Sequence, residues 1–349
     1  MIRTRAAWLL AIAATSSTLG LAACGGDDKT SDADAGASKE LTVYSGREAE
    51  YAAPLFQRFE KAMGIKVRVR YGESAELAAT LVEEGGRSPA DVFFAQDAGS
   101  LGAVQDEGLF ARLPKATLDL VPAQFRSRGG TWVGTSGRAR VLAYDSRELQ
   151  ESDLPDSVYD LTGREWTGKV GWAPTNASFQ AFVTAMRKVD GDAKAKAWLE
   201  GMKANNAQAF DKNSILRDAI KNGEVLVGLI NHYYVLEAIH EAGGSTGKYP
   251  VKLHFFPNGD IGSLVNAAGI AILKGADHAG AAQKLVEYLL SDAAQEYFAD
   301  EVGEYPLIEG VKADPSLPAL ASIKQPEVDL SDLDDLKGTL DLLQETGVL

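Results

Sequence analysis

Apolar and polar positions alternate along this chain with two periods, and the switches between them mark out its elements. Leu41 to Tyr44 is a short apolar run closed by Ser45-Gly46, which predicts a strand and a turn. From Arg47 the period changes. Tyr51, Leu55, Phe59 and Met63 recur every four residues on one helical face, and Gly64 follows as a C-terminal stop. Ile65, Val67, Val69 and Tyr71 then alternate with Lys66, Arg68 and Arg70, which is strand periodicity. A helix over Ala75 to Glu84 and a buried strand over Asp91 to Ala95 complete a strand–helix–strand–helix–strand series.

The alternation returns further on. Lys169 to Trp172 predicts a strand leading into Pro174 to Ser178, a cap before a helix over Phe179 to Lys188. Helices follow over Lys194 to Lys203 and Ser214 to Asn222, then a strand over Glu224 to Ile230 and a helix over Tyr234 to Glu241. Ile270 to Leu273 and Ala279 to Leu290 form a last strand and helix. Two such βα sets, joined by strand-like crossings such as Arg140 to Tyr144, predict an α/β fold of two lobes with a cleft between them. Open α/β sheets take ligands at the carboxyl ends of their strands. The loops to inspect are therefore Ser45 to Glu48, Gln96-Asp97, Asn176 to Ser178 and Asn231 to Tyr234.

The amino terminus carries a different signal. Arg3 and Arg5, an apolar run from Ala6 to Ala14, and small residues up to Leu21-Ala22-Ala23-Cys24 have the parts of a secretory signal, with the apolar run too short to span a bilayer. Leu-Ala-Ala-Cys is also the pattern of a lipoprotein signal, so residues 1–23 are expected to be removed and Cys24 to be lipidated. Cys24 is the only cysteine, so no internal disulfide is available to it. Residues 24–39 hold no apolar side chain larger than alanine beyond that cysteine and are expected to form a flexible tether.

Charge narrows the partners. The full chain carries −14; removing Arg3 and Arg5 leaves 33 basic against 49 acidic side chains, or −16. Nucleic acid is excluded as a partner, because affinity there rests on neutralising phosphates. No nucleophile elbow, no phosphate-binding loop and no convincing Ser-His-Asp set occurs, so no enzyme activity is expected. The four histidines, His232, His240, His254 and His278, show no metal-ligand spacing.

Tyr233-Tyr234 carries the strongest chemistry of the strand-end loops. A phenol ionises near pH 10 in water, but a highly charged cation favours phenolate, a hard oxygen donor suited to hard ions. Two adjacent tyrosines at a strand-to-helix turn can share one cleft, as they cannot within a regular strand. Eleven tyrosines make a chance pair common enough that position, directly after Leu229-Ile230-Asn231, decides the matter.

Val43-Tyr44-Ser45-Gly46, Gly64 to Val67, Arg87 to Phe93, Ser136 to Val141, Lys212-Asn213-Ser214, Leu229 to Tyr234 and Glu304 to Leu307 together resemble the ferric ion-binding proteins, solute-binding subunits of iron-importing ABC transporters. The resemblance runs in order from Leu41 to the carboxyl terminus. It implies a periplasmic-binding-protein type 2 fold, with two mixed sheets and a hinged cleft. Residues 40–140 and 265–315 are then expected in one lobe, 141–264 in the other, and 316–349 as a helical segment packing on the second. It implies Fe³⁺ as cargo, bound by Tyr233 and Tyr234, with a phosphate- or carbonate-like anion held by Asn176, Ala177, Ser178, Asn213 and Asn231. It also implies a membrane permease as partner, with the protein itself expected to be a monomer.

Two positions depart from the best-known members. Glu48 stands where they have a histidine ligand, and is expected to supply a carboxylate to iron instead. Gln96 stands where they have a glutamate ligand, and a neutral amide is a poor donor to Fe³⁺. Phe179 occupies the neighbourhood from which other members present a third tyrosine. Arg47 and Arg138 are available to neutralise an anion or to pair within the fold. The alternative function is a binding protein of the same fold for a polyamine, thiamine or an oxyanion. A surface enzyme acting on phosphorylated or glycosidic substrates is the rival from another class.

Overall fold

A computed structural model describes residues 40–243 and 248–349. The signal segment 1–23, Cys24 and the tether 24–39 lie outside the described residues. The first strand–helix series forms as its periodicity predicts: β1 (Glu40–Ser45), α1 (Ala49–Met63), β2 (Lys66–Tyr71), α2 (Ser74–Glu84), β3 (Val92–Ala95) and α3 (Ala98–Asp106). β1 pairs in parallel with β2 on one side and β3 on the other. Tyr51, Leu55 and Phe59 of α1 are buried, but Met63, the last residue of the stripe, is 47% exposed where the helix stops at Gly64. Arg47 and Glu48 precede α1 rather than opening it.

A single helical turn, α4 (Lys115–Leu118), leads towards β4 (Trp132–Asp145), a strand of fourteen buried residues. The sequence pattern disclosed only its second half. Gly134, Ser136 and Gly137 interrupt the apolar run, and Gly134 is required because a Cβ there would meet the Phe125 carbonyl at 2.7 Å. β4 runs through the whole molecule. Its first half pairs antiparallel with β9 (Val265–Ile272), which in turn pairs with β3. Its second half pairs antiparallel with β7 (Val227–Asn231) and β8 (Val251–His254).

The second lobe is assembled on that half. β5 (Val170–Trp172) lies in parallel between β6 (Gln208–Ala209) and β7. Between the strands run α5 (Ala177–Asp190), α6 (Asp192–Ala204), α7 (Asn213–Asn222) and α8 (Tyr233–Glu241). Trp172 and Trp198 pack with Phe179 and Phe182 of α5 in an aromatic cluster of edge-to-face and tilted pairs, ring centroids 5.6 to 6.4 Å apart. Each lobe thus has a mixed sheet, and β4 makes them one hydrogen-bonded path, β2-β1-β3-β9-β4-β7-β5-β6.

After β9 the chain returns to the first lobe through α9 (Ala279–Leu289) and α10 (Asp292–Tyr297), which ends in a π-turn at Gly303. The carboxyl-terminal segment, ending in α11 (Leu336–Glu345), touches both lobes. Ser331 accepts the Arg128 N–H at 3.1 Å, and the Leu333 carbonyl lies against Gly99 of α3. One turn later Asp335 pairs with Arg187 at 2.9 Å and Thr339 meets Thr184 at 2.7 Å, both on α5. Among the described residues, no helix is long and apolar enough to cross a membrane.

Candidate functional site

The strand ends converge on a cleft of about 940 Å³. β1 leaves the sheet at Ser45, and Gly46 turns so tightly against α2 that a Cβ would lie 2.0 Å from the Ser74 hydroxyl. That turn sends Arg47 inward and leaves Glu48 half-buried on the cleft wall. Across from them, β7 ends at Asn231 and α8 starts at once. His232 is clamped to β4: its N–H donates to the Ala139 carbonyl, and its Nδ1 accepts the Ala139 N–H, both at 3.1 Å. Its ring packs on Tyr305 at 4.8 Å. Burial drives the His232 imidazole down to about 4, so it is neutral near pH 7.

Clamping His232 fixes the next two side chains. The Tyr233 and Tyr234 rings stack at 4.2 Å with 30° between their planes, and both are buried. Tyr234 lines the cleft. The Tyr233 hydroxyl makes no hydrogen bond of good geometry, although its neighbour's hydroxyl bears on it electrostatically. Burial raises both phenols above their ordinary range. Tyr233 and Glu48 push Tyr234 up further, while Arg138 and Arg47 draw Tyr233 back. Both are therefore neutral until a cation arrives to favour phenolate.

Three buried guanidiniums surround the pair. Arg47 donates to Glu304 at 2.7 Å, and the other Glu304 oxygen accepts Ser136 Oγ at 2.5 Å. Arg138 donates to Ser178 Oγ at 2.9 Å. Arg140 donates to the Leu229 carbonyl at 3.0 Å and lies over the Phe179 and Phe182 rings. Burial and the Arg138 charge lower Arg140 to about 9, still protonated at neutral pH. Two nitrogens on each arginine have no partner, nor do Asn213 Nδ2 and Oδ1, Asn231 Nδ2 and Gln180 Oε1. Each buried polar atom left so costs on the order of 1–3 kcal/mol. The guanidinium and amide nitrogens among these are donors of the kind an anion can satisfy, whereas the Asn213 and Gln180 oxygens are acceptors that want a donor.

The expected anion loop lies at the start of α5. Asn176 caps α5 by accepting the Ser178 N–H at 3.1 Å, and Ala177 begins the helix, whose first-turn N–H groups favour negative charge. Asn176, Ala177 and Asn213 line the cleft together with Tyr234, Glu48 and Gln96. Ser178 and Asn231 are buried beside it, tied to Arg138 and to β4 respectively.

The carboxylates are arranged differently. Burial, then repulsion from Glu50, lifts Glu48 to about 7 against the pull of Lys212 and Arg47. Asp97 caps α3, its carboxylate taken up by the Ser100 N–H and hydroxyl. Among the described residues, no three His, Cys, Asp or Glu side chains cluster to hold a metal ion. Arg140 and Glu304 stand in the sequence only as parts of longer motifs and Gln180 in none; Glu304 reaches Arg47 only through the return of the chain.

Residues 87–331 match the bacterial extracellular solute-binding protein family. The major ferric iron-binding protein of Neisseria meningitidis is 33% identical over 315 residues, spanning 88% of this chain and 93% of its own. Iron-bound HitA from Pseudomonas aeruginosa superposes with a TM-score of 0.83 at 36% identity, covering 88% of this chain and 99% of HitA. A Trichodesmium protein solved with iron and citrate gives 0.74 at 29% identity, with 88% and 99% covered. HitA fixes the fold as the periplasmic-binding-protein type 2 arrangement. With these likenesses running from one lobe through the other, the chain belongs to the ferric ion-binding proteins, within the bacterial extracellular solute-binding family.

Proposed function

We propose that this protein is the extracytoplasmic solute-binding lipoprotein of an ABC importer, which binds ferric iron in its cleft and delivers it to a membrane permease. The observation that carries the reading is the stacked, buried Tyr233–Tyr234 pair beside the cleft, in a family of ferric binders. Tyr233 and Tyr234 bind iron as phenolates and Glu48 adds a carboxylate. Three anionic oxygens balance Fe³⁺ and leave the surrounding guanidiniums in want of a counter-charge. A phosphate- or carbonate-like anion on Asn176, Ala177, Ser178, Asn213 and Asn231 supplies it and fills remaining iron positions. The citrate of the Trichodesmium protein has the same carboxylate chemistry.

A polyamine or thiamine fits poorly, because Arg47, Arg138 and Arg140 repel a cationic organic solute. Lipid on Cys24 and the 24–39 tether keep the folded part near its permease, raising the effective concentration without a new contact. The lobe division is 40–140 with 265–315, against 141–264, with 316–349 packed mainly through α11 on the second lobe, and the working unit is a monomer. Purified protein loaded with ferric iron is expected to show a visible tyrosinate-to-iron band. Tyr233→Phe with Tyr234→Phe is expected to abolish band and binding; a double variant that keeps both would overturn the site.

A further inference from the structure

One buried tyrosine near the pair plays no part in the ferric seat. Tyr51 lies on α1, one turn after Arg47, whose guanidinium sits 5.7 Å above its ring. Its hydroxyl crosses to the second lobe and donates to Glu237 Oε1 at 2.7 Å. Glu237 is on α8, one turn beyond Tyr233. Its other oxygen accepts Arg217 Nη1 at 3.3 Å, and the same nitrogen donates to the Tyr234 carbonyl at 3.1 Å. The Tyr51 ring meets the Tyr233 ring edge-on, 6.0 Å between centroids at 84°. From its own lobe, Tyr297 fixes the Tyr51 carbonyl at 2.9 Å.

We infer that Tyr51 is a positioning residue for iron binding, its hydrogen bond to Glu237 holding the first turn of α8, and so the tilt of both phenol rings, against the first lobe. The inference rests on the reading of Tyr233 and Tyr234 as the ferric seat. Tyr51 is not itself a ligand. Its hydroxyl proton is engaged by Glu237 Oε1 at 2.7 Å, and its carbonyl by the Tyr297 hydroxyl at 2.9 Å. Nor is its ring alone sufficient to explain it, since phenylalanine would fill the stripe of α1 equally well and leave Glu237 to Arg217. Because donor and acceptor belong to different lobes, the bond exists only while the lobes keep their present distance. It therefore couples lobe position to the geometry of the iron donors.

Tyr51→Phe keeps the ring and removes the bond. In ferric-loaded protein it is expected to retain the visible band at a shifted wavelength and to release iron to EDTA about tenfold faster, the scale of one lost hydrogen bond to a charged group. Glu237→Ala is expected to reproduce both changes. Glu237→Gln, which keeps an acceptor for the phenol, is expected to restore the wild-type wavelength. In the iron-free protein, amides of 233–241 are expected to exchange faster in Tyr51→Phe. Unchanged wavelength, release rate and exchange in Tyr51→Phe overturn the inference and leave the ferric reading standing. A wild-type protein without any visible ferric band overturns the ferric reading, and this inference with it.

Discussion

The two walls of the cleft solve opposite problems. The first-lobe wall carries Glu48, Glu50, Glu73 and Glu76 on the turns after β1 and β2, and Glu50, Glu73 and Glu76 are exposed to water. The second-lobe wall carries Tyr233, Tyr234, Asn213 and Asn231, with Arg138 and Arg140 of the crossing strand β4 behind it, all buried and several without partners. Water reaches Glu50, Glu73 and Glu76, so they cost little when empty and act weakly when used, while half-buried Glu48 carries a desolvation cost. The second set is only partly satisfied within the fold, so donors are held in place at the fold's own expense, which is the signature of preorganisation. Specificity is therefore built into the buried wall, and the exposed wall contributes charge.

That contrast can be broken most directly at Arg138. Arg138→Leu removes a buried cation bonded to Ser178 and is expected to weaken ferric binding in the presence of phosphate or carbonate by about a hundredfold, because charge-assisted bonds in a dry site are the strong ones. Titration calorimetry with and without the anion checks it; an equal loss in both would place Arg138 outside the anion site. Glu48→Gln comes next, with an expected loss of about tenfold above pH 7, a smaller effect because this carboxylate is half-solvated. Its pH dependence follows from its position. Glu48 titrates at about 7, so above that pH it is an anionic donor and below it a neutral acid. Wild-type affinity should fall more steeply than that of Glu48→Gln as pH drops through 7, and the two should converge below it. Both should still lose affinity in acid, since each phenolate must surrender its place to a proton. Glu76→Gln is the smallest case. On an exposed rim its effect is expected to stay within about twofold at physiological salt and to grow as salt is removed.

The same contrast explains what could be read from the chain. α1 and β2 were legible from one clean period over most of their length, and β3 as a short unbroken apolar run. The tyrosine pair was legible because strand and helix meet there with no intervening loop, so position alone placed both side chains at a strand end. The first half of β4 was not, because its glycines answer to Phe125 and Leu307, residues distant in sequence. Tyr51 fitted the apolar stripe of α1, and nothing local shows that its hydroxyl meets Glu237. Arg47 offered two readings, anion neutraliser or internal ion pair. The fold gives it Glu304 on one nitrogen and leaves two nitrogens over, so both features coexist in one side chain. Buried charge is legible only when its counter-charge is near in sequence, and here it lies in the last third of the chain.

The route of the chain through β4 and β9 has a consequence for biogenesis. Val92 of β3 finds its antiparallel neighbour only at Ile272, after every strand of the second lobe has been made. Until then β3 is an open edge and the first lobe cannot complete its sheet. Pairings of such wide separation form late, after the cost of closing a long loop has been met. A chain emerging amino end first thus exposes an unfinished first lobe throughout synthesis of the second. The contact that completes the sheet is thus also among the last that can form.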